Sequence, residues 1–250
     1  MFSSKHIPNF ITSLNLLSGC TGIAMLIQGQ IFYATLFIFI AVVFDFLDGT
    51  AARLLDAGSE LGKQLDSLAD AVSFGVLPGM ILFRLLQHSV EFRYPDIAWI
   101  VILPYLALLI PVASAIRLGR FNLDTRQTVN FIGLPTPANA LFLAGFPMML
   151  TSHAPVGQLV MLKIMSFLFD PFILSAVCLL SALMLNADIP LFSLKFKNFR
   201  WKDNHYKYIL LIICIILLSF FQFAALLAII PVYILLSLFF RKKFWESAEN

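Results

Sequence analysis

Long apolar segments, separated by short polar stretches, occupy most of the chain. A membrane-spanning helix needs about 20 mostly apolar residues. The apolar piece 158–169 is too short to cross alone, and it could extend the fifth span, begin the sixth or lie in the interface. The pattern therefore predicts an all-α integral membrane protein with about eight transmembrane helices, at approximately 9–28, 31–54, 67–87, 96–117, 136–152, 170–187, 208–221 and 223–240.

The composition supports a membrane location. Of 250 residues, 60% are hydrophobic and only 12% are charged, whereas a soluble domain has about a quarter of its residues charged. The three cysteines lie in apolar runs without CxxC spacing. This placement argues against a disulfide framework or a zinc site.

The distribution of basic residues predicts the orientation of the spans. With eight spans and a cytoplasmic start, 14 of the 17 Lys and Arg residues fall on the cytoplasmic side. The exceptions are Arg84, Arg93 and Lys163. Cytoplasmic loops are enriched in Lys and Arg, so we predict that both termini are cytoplasmic and that the protein is a multi-pass protein of the cell membrane.

A basic and aromatic stretch divides the chain. Residues 195–207 read KFKNFRWKDNHYK, a mixture that suits an anionic lipid surface and gives no separate reason to expect nucleic acid. We predict a transmembrane catalytic domain at 1–190, a basic cytoplasmic linker at 191–207, a pair of transmembrane helices at 208–240 and a cytoplasmic tail at 241–250.

Four aspartates interrupt the apolar pattern in the segment 45–70. Asp45 comes 14 residues after Ile31, roughly 21 Å of helix rise, which is less than the thickness of the hydrocarbon core. Ionisable side chains at that depth are costly and usually functional. Asp45 and Asp48 are spaced i,i+3 and Asp66 and Asp70 i,i+4, so each pair occupies one helix face.

Because the second span runs toward the cytoplasm and the third runs back, both pairs meet at the same depth on the cytoplasmic side. Four carboxylates there need a cation, and hard oxygen ligands favour Mg²⁺ or Mn²⁺. We therefore predict a two-metal site formed by Asp45, Asp48, Asp66 and Asp70. Asp56 and Glu60 lack this register, and we interpret them as solvated residues of a helix terminus.

Small and basic residues beside the acids suit a phosphate ligand. Gly49 and Ala52 leave room for close approach, and the Arg53 guanidinium matches phosphate oxygens. Ser59 offers a hydroxyl, and Gly62 opens the returning segment. A snorkelling role is the alternative for Arg53.

The complete pattern, Asp45-x2-Asp48-Gly49-x2-Ala52-Arg53-x8-Gly62-x3-Asp66-x3-Asp70, resembles the signature of the CDP-alcohol phosphatidyltransferases. Within that family, three further stretches resemble the phosphatidylserine synthases: IPNFITSLNLLSGC, LDSLADAVSFGVLPG, and IRLGRFNLDTR followed by FIGLPTPANA. The resemblance covers parts of residues 7–140.

This resemblance implies a six-helix core followed by two C-terminal helices, and transfer of a phosphatidyl group from CDP-diacylglycerol to L-serine with release of CMP. It implies that the four aspartates bind metal and that Asp70 is also the general base. It further implies a homodimer in a lipid membrane, and contacts to the CDP-lipid from Asn9, Gly49, Ala52, Arg53, Ser59 and Gly62.

The carboxylate of serine needs a cationic or amide partner. Candidates lie at and after the cytoplasmic end of the fourth span: Arg117, Arg120, Asn122, Arg126 and Asn139. Arg117 and Arg120 share a helix face at i,i+3 spacing. A basic cluster that contacts lipid phosphates is an equal alternative for each arginine.

Two other functions remain open at this point. The acceptor could be glycerol 3-phosphate, an inositol phosphate or another alcohol. An ion-coupled transporter could also use carboxylates within the membrane. However, the acids cluster near one face, and the hydropathy pattern contains no inverted repeat.

Overall fold

The computed structural model describes residues 6–123, 131–151, 158–192 and 200–241. Helices dominate these ranges, as predicted. They are α1 (His6–Ile27), α2 (Ile31–Leu54), α3 (Glu60–Asp70), α4 (Leu77–Arg93), α5 (Leu109–Leu123), α6 (Thr136–Met149), α7 (Gln158–Leu168), α8 (Pro171–Asn186), α9 (Trp201–Phe221) and α10 (Leu226–Phe239).

Three irregular helical segments adjoin these helices. A π-helical turn, Ala71–Val76, joins α3 to α4, so that Glu60–Arg93 forms one 34-residue helix. A 3₁₀ segment, Ala98–Leu108, leads into α5, and another, Gln222–Ala225, leads into α10. The two-residue strands β1 (Phe131–Ile132) and β2 (Pro190–Leu191) pair antiparallel.

Within the described residues, five helices are long and apolar enough to cross a membrane, and α7 with α8 makes a sixth if that bent pair is one span. These findings agree with a multi-pass membrane protein. They do not reach the predicted count of eight, in part because α6 has only 14 residues. The number of spans and the cytoplasmic location of the termini stay predictions.

The longest of these five, Asn204–Phe239, comprises most of α9 together with α10, and the chain reverses direction between these two helices. His205 packs against Phe240 with ring centroids 5.2 Å apart, although 35 residues separate them. The reversal occurs at Gln222, whose φ of 51° is outside the helical region. The segments predicted at 208–221 and 223–240 therefore form an antiparallel helix pair, and the helical residues Trp201–Lys207 fall inside the predicted linker.

The piece at 158–169 forms a helix of its own, bent by 62° from α8. Asp170 caps α8 by accepting a hydrogen bond from the Phe172 N–H at 2.9 Å. Arg93 at the end of α4 contacts Asp170 at 3.5 Å and Ser166 Oγ at 3.2 Å. These bonds hold the bend at the end of the bundle that lies away from the four aspartates.

Close packing of α1 against the π-helical turn sets the position of α3. A Cβ added to Gly19 would lie 2.5 Å from Ser73 Oγ and 2.9 Å from its Cα, so only glycine permits this approach. Pro78 is the second residue of α4 and has no N–H to continue a regular hydrogen-bond ladder into the preceding turn. The π-helical turn, which the hydropathy pattern did not predict, therefore lies directly after Asp70.

We expect Gly19→Ala to destabilise the protein, because the added methyl group overlaps Ser73. Overpacking of this kind costs about 1–3 kcal/mol. Gly119→Ala is the matched control, since a Cβ at that helical position meets nothing within 4 Å. Thermal unfolding in detergent should show a lower Tm for Gly19→Ala alone, and an unchanged Tm in that variant would contradict the packing described.

Candidate active site

A short loop between α2 and α3 brings the paired aspartates together. Helix α2 ends at Leu54, and Asp56 takes a φ of 45° as the chain turns. Ser59 begins the return as the N-cap of α3, where its Oγ accepts a hydrogen bond from the Gly62 N–H at 3.0 Å. The last turns of α2 therefore lie beside the first turns of α3.

Three carboxylates converge at this junction. Oxygen atoms of Asp45, Asp48 and Asp66 all lie within 4.8 Å of one another. Asp48 is only 5% exposed. Its Oδ2 and Asp66 Oδ1 are buried and have no hydrogen-bond donor among the described residues. The predicted convergence of the two helix faces is confirmed for these three residues.

No basic side chain in the described part of the protein neutralises these carboxylates. The two ion pairs found there are Lys63 with Glu60 at 3.1 Å and Arg93 with Asp170 at 3.5 Å. Buried charges without partners are strongly unfavourable. Orphaned carboxylate oxygens facing one another fit a divalent cation, and the three aspartates would supply the hard oxygen ligands that Mg²⁺ or Mn²⁺ prefers.

Asp70 lies outside this three-carboxylate group. It is one helical turn beyond Asp66, 7% exposed, and its Oδ1 accepts a hydrogen bond from Asn15 Nδ2 at 3.2 Å. Arg117 lies near enough for its charge to interact with that of Asp70. The structure thus places Asp70 beside the group of three and bonded to α1, and its predicted role as a fourth metal ligand stays a prediction.

A cavity of about 150 Å³ opens beside the carboxylates, between α1 and the α2–α3 loop. Five of the six residues predicted to bind the CDP-lipid line it, namely Asn9, Gly49, Ala52, Ser59 and Gly62. The other lining residues, besides Asp48 and Asp66, were not predicted from the sequence: Pro8, Thr12, Ala57, Gly58 and Lys63. The HIPNFIT start of α1 was the available signal for Pro8 and Thr12.

The glycines of this cavity have different roles. No heavy atom lies within 4 Å of a Cβ built on Gly49, so this residue leaves open space beside Asp48. A Cβ on Gly62 would lie 3.0 Å from both Asn9 Oδ1 and Ser59 Oγ. Gly62 therefore lets α3 begin against α1, while Gly49 provides room for a ligand.

Arg53 does not line the cavity. Its side chain is exposed, and its Nη2 donates to Thr50 Oγ1 at 3.4 Å. The phosphate contact expected from the sequence pattern therefore stays a prediction for this residue. Lys63 is the basic side chain that the structure places at the cavity wall.

The residues predicted to bind serine lie in different environments. Arg117 is 8% exposed, its guanidinium lies 5.9 Å from the Phe121 ring, and its Nε has no partner among the described residues. Arg120 is exposed. Asn122 is also exposed, and its Nδ2 donates to Ser67 Oγ on α3 at 2.8 Å. Arg117 and Asn122 thus adjoin the acidic helix.

Asn139 lies apart from the cavity beside the carboxylates. It is fully buried on α6, and its Oδ1 accepts a hydrogen bond from Ser181 Oγ on α8 at 2.6 Å. It lines a separate apolar cavity of about 310 Å³ between α6, α8 and α10. Its predicted contact with serine stays a prediction. Arg126 lies outside the described residues.

The comparison with protein families fits this geometry. The model of the family described as CDP-alcohol phosphatidyltransferase matches residues 5–170, a range that contains the three converging carboxylates, Asp70 and the adjoining cavity. The chain belongs to the CDP-alcohol phosphatidyltransferase family. It is therefore an enzyme of phospholipid biosynthesis in a phosphotransferase family, and this membership argues against the ion-coupled transporter.

Curated relatives within this family carry names that refer to the transfer of a lipid phosphate group to serine. The chain is 34% identical over 197 residues to the CDP-diacylglycerol–serine O-phosphatidyltransferase of Bacillus subtilis, which covers 78% of this chain and 92% of that protein. It is 36% identical to the enzyme of the same name from Mycobacterium leprae, over 56% of this chain and 45% of the relative. The archaetidylserine synthase of Methanothermobacter thermautotrophicus is 36% identical, over 56% of this chain and 57% of the relative.

We expect Asp48→Asn to weaken binding of Mn²⁺ by at least about tenfold, because it removes a charged ligand from a group of three. The control is Asp56→Asn, since Asp56 lies in the adjacent loop outside this group, and asparagine tolerates its positive φ. Electron paramagnetic resonance titration of free Mn²⁺ gives both affinities. An equal loss of Mn²⁺ affinity in the two variants would show that the ion does not bind specifically at the three carboxylates.

Proposed function

We propose that this protein transfers the phosphatidyl group of CDP-diacylglycerol to the hydroxyl of L-serine and releases CMP. The observation that carries the proposal is the group of three carboxylates, which have no basic partner among the described residues. Two of them, Asp48 and Asp66, line a cavity, and Asp70 lies one helical turn beyond Asp66. The names of the relatives support serine as the acceptor.

The carboxylate group suits the pyrophosphate of a CDP-lipid. Asp45, Asp48 and Asp66 would hold one or two divalent cations, with Asp70 as the additional predicted ligand. When bound, such cations neutralise negative charge on the pyrophosphate and stabilise the charge that develops during transfer. Lys63 at the cavity wall and Ser59 in the loop are placed to contact phosphate oxygens or the nucleotide.

The chemical step is an in-line displacement at the phosphorus that carries diacylglycerol. Asp70 accepts the proton of the serine hydroxyl, and the serine oxygen forms a new bond to this phosphorus. The bond from phosphorus to the oxygen bridging to CMP breaks, and CMP leaves with the electron pair. General base catalysis of this type typically contributes about 10²- to 10⁴-fold in rate.

Arg117 is the best-placed partner for the carboxylate of serine. It is buried, retains a donor without a partner among the described residues, and lies near Asp70. A buried guanidinium forms stronger and more directional bonds to a carboxylate than an exposed one does. Asn122, bonded to Ser67 on α3, and the exposed Arg120 could line the approach to this position.

The proposed orientation follows from the basic residues and the chemistry. Serine and CMP are polar and water-soluble, so the site must open to an aqueous compartment at one membrane surface. The excess of Lys and Arg that the eight-span topology places on the side of the α2–α3 loop supports the cytoplasmic surface. Homodimerisation, implied by family resemblance, stays a prediction.

Purified protein should release CMP from CDP-diacylglycerol in a reaction that requires both a divalent metal and L-serine, and the lipid product should contain serine. Asp70→Asn should abolish transfer while retaining metal-dependent binding of the CDP-lipid. Transfer to glycerol 3-phosphate or an inositol phosphate in place of serine would be consistent with the proposed metal site, but it would contradict serine as the acceptor. Near-normal turnover by Asp70→Asn would reject the assigned base.

We expect Arg117→Ala to raise the KM for serine at least about tenfold more than the KM for CDP-diacylglycerol, because in this proposal the guanidinium binds the carboxylate of serine and not the CDP-lipid. Arg84→Ala is the control, since Arg84 lies on α4, where it bonds Gln87 at 3.0 Å. Steady-state kinetics with each substrate varied separately measures both constants. Equal increases for the two substrates would place Arg117 outside the serine site.

A further inference from the structure

Asn15 is the residue of α1 that contacts Asp70. Its side chain is completely buried, and its Nδ2 donates to Asp70 Oδ1 at 3.2 Å. The two residues are 55 positions apart, so this bond joins the first helix to the acidic helix. Neither the family signature, which begins at Asp45, nor the i,i+3 and i,i+4 spacing of the aspartates includes Asn15.

The orientation of the Asn15 amide follows from its partner. A carboxylate oxygen can only accept a hydrogen bond, so the amide must present its NH₂ group to Asp70. Asn15 Oδ1 then remains buried without a donor among the described residues. A buried acceptor in this state costs about 1–3 kcal/mol. Only one end of the Asn15 amide is therefore hydrogen-bonded among the described residues. A purely structural role, in which all buried polar groups are paired, does not explain the bond to Asp70.

A second contact binds the same residue to the segment after Asp70. Ser73 Oγ donates to the backbone carbonyl of Asn15 at 2.9 Å, and Gly19 provides the space for Ser73. Asn15 thus contacts Asp70 through its side chain and the π-helical turn through its backbone. The two contacts restrict both the rotation of the carboxylate and the position of its helix.

We propose that Asn15 is a positioning residue that orients the Asp70 carboxylate for proton transfer. The hydrogen bond engages Oδ1 and fixes the plane of the carboxylate, so that Oδ2 is the oxygen that would accept the proton of the acceptor hydroxyl. This inference rests on the proposed function, in which Asp70 is the general base. Helix α1 would then have two roles. It lines the cavity proposed for the nucleotide, and it orients the base in the chemical step.

The test is Asn15→Ala, with Ser18→Ala as the matched control. Ser18 is also buried on α1, one turn later, but among the described residues its hydroxyl bonds only to the Leu14 carbonyl of its own helix, at 2.7 Å. Loss of an orienting partner typically lowers activity about 10- to 100-fold. We expect Asn15→Ala to lower kcat by this factor, with little change in the KM for CDP-diacylglycerol or in Mn²⁺ affinity.

A double variant separates positioning from packing. If Asn15 acts through Asp70, Asn15→Ala should lower kcat less in Asp70→Glu, where the carboxylate is already displaced, than in the wild-type protein. Full additivity, or equal loss of kcat in Ser18→Ala, would overturn the inference. Should Asn15→Ala fail to fold, Asn15→Ser is the substitute, because its shorter side chain cannot reach Asp70 yet suits a membrane helix.

The outcomes also distinguish this inference from the proposed function. Near-normal turnover by Asp70→Asn would reject Asp70 as the base, and the role of Asn15 would fall with it. An inactive Asp70→Asn combined with a wild-type kcat for Asn15→Ala would reject only the positioning role.

Discussion

Carboxylates repel one another at short range, and a membrane protein has little internal water to weaken that repulsion. Two like charges 4 Å apart oppose each other by about 4 kcal/mol at an effective dielectric constant of about 20. Asp45, Asp48 and Asp66 approach within 4.8 Å without a basic partner in the described part of the protein. The site is therefore electrostatically complete only with a cation, and its chemistry depends on this requirement.

The surrounding helices maintain this unfavourable arrangement by close packing. Gly19 and Gly62 let α1 contact Ser73 and the start of α3, and Ser59 caps α3 so that its first turn is well defined. The cavity beside α1, the carboxylate group and the buried Asp70 consequently share one set of helix contacts. The C-terminal pair α9–α10 lies outside the range matched by the family model. It packs through Tyr206, Tyr233 and Phe192, away from these contacts.

The site was more predictable than its surroundings because helical spacing alone determines which aspartates share a face. The i,i+3 and i,i+4 registers indicated convergence of Asp45, Asp48 and Asp66, and hydropathy placed α2 at 31–54, the range observed. Hydropathy could not indicate the π-helical turn after Asp70, the bend before α8 or the burial of Asn139. These depend on Pro78, on the contacts of Arg93 and on packing against Ser181, none of which leaves a periodic pattern.

The most direct test of this account is the location of a bound metal. Anomalous scattering should be measured from crystals grown with Mn²⁺ and CDP-diacylglycerol, together with serine-dependent CMP release after removal of metal by EDTA. The account predicts a peak within coordination distance of the Asp45, Asp48 and Asp66 carboxylates and loss of CMP release without metal. An anomalous peak elsewhere, or full activity after removal of metal, would contradict it.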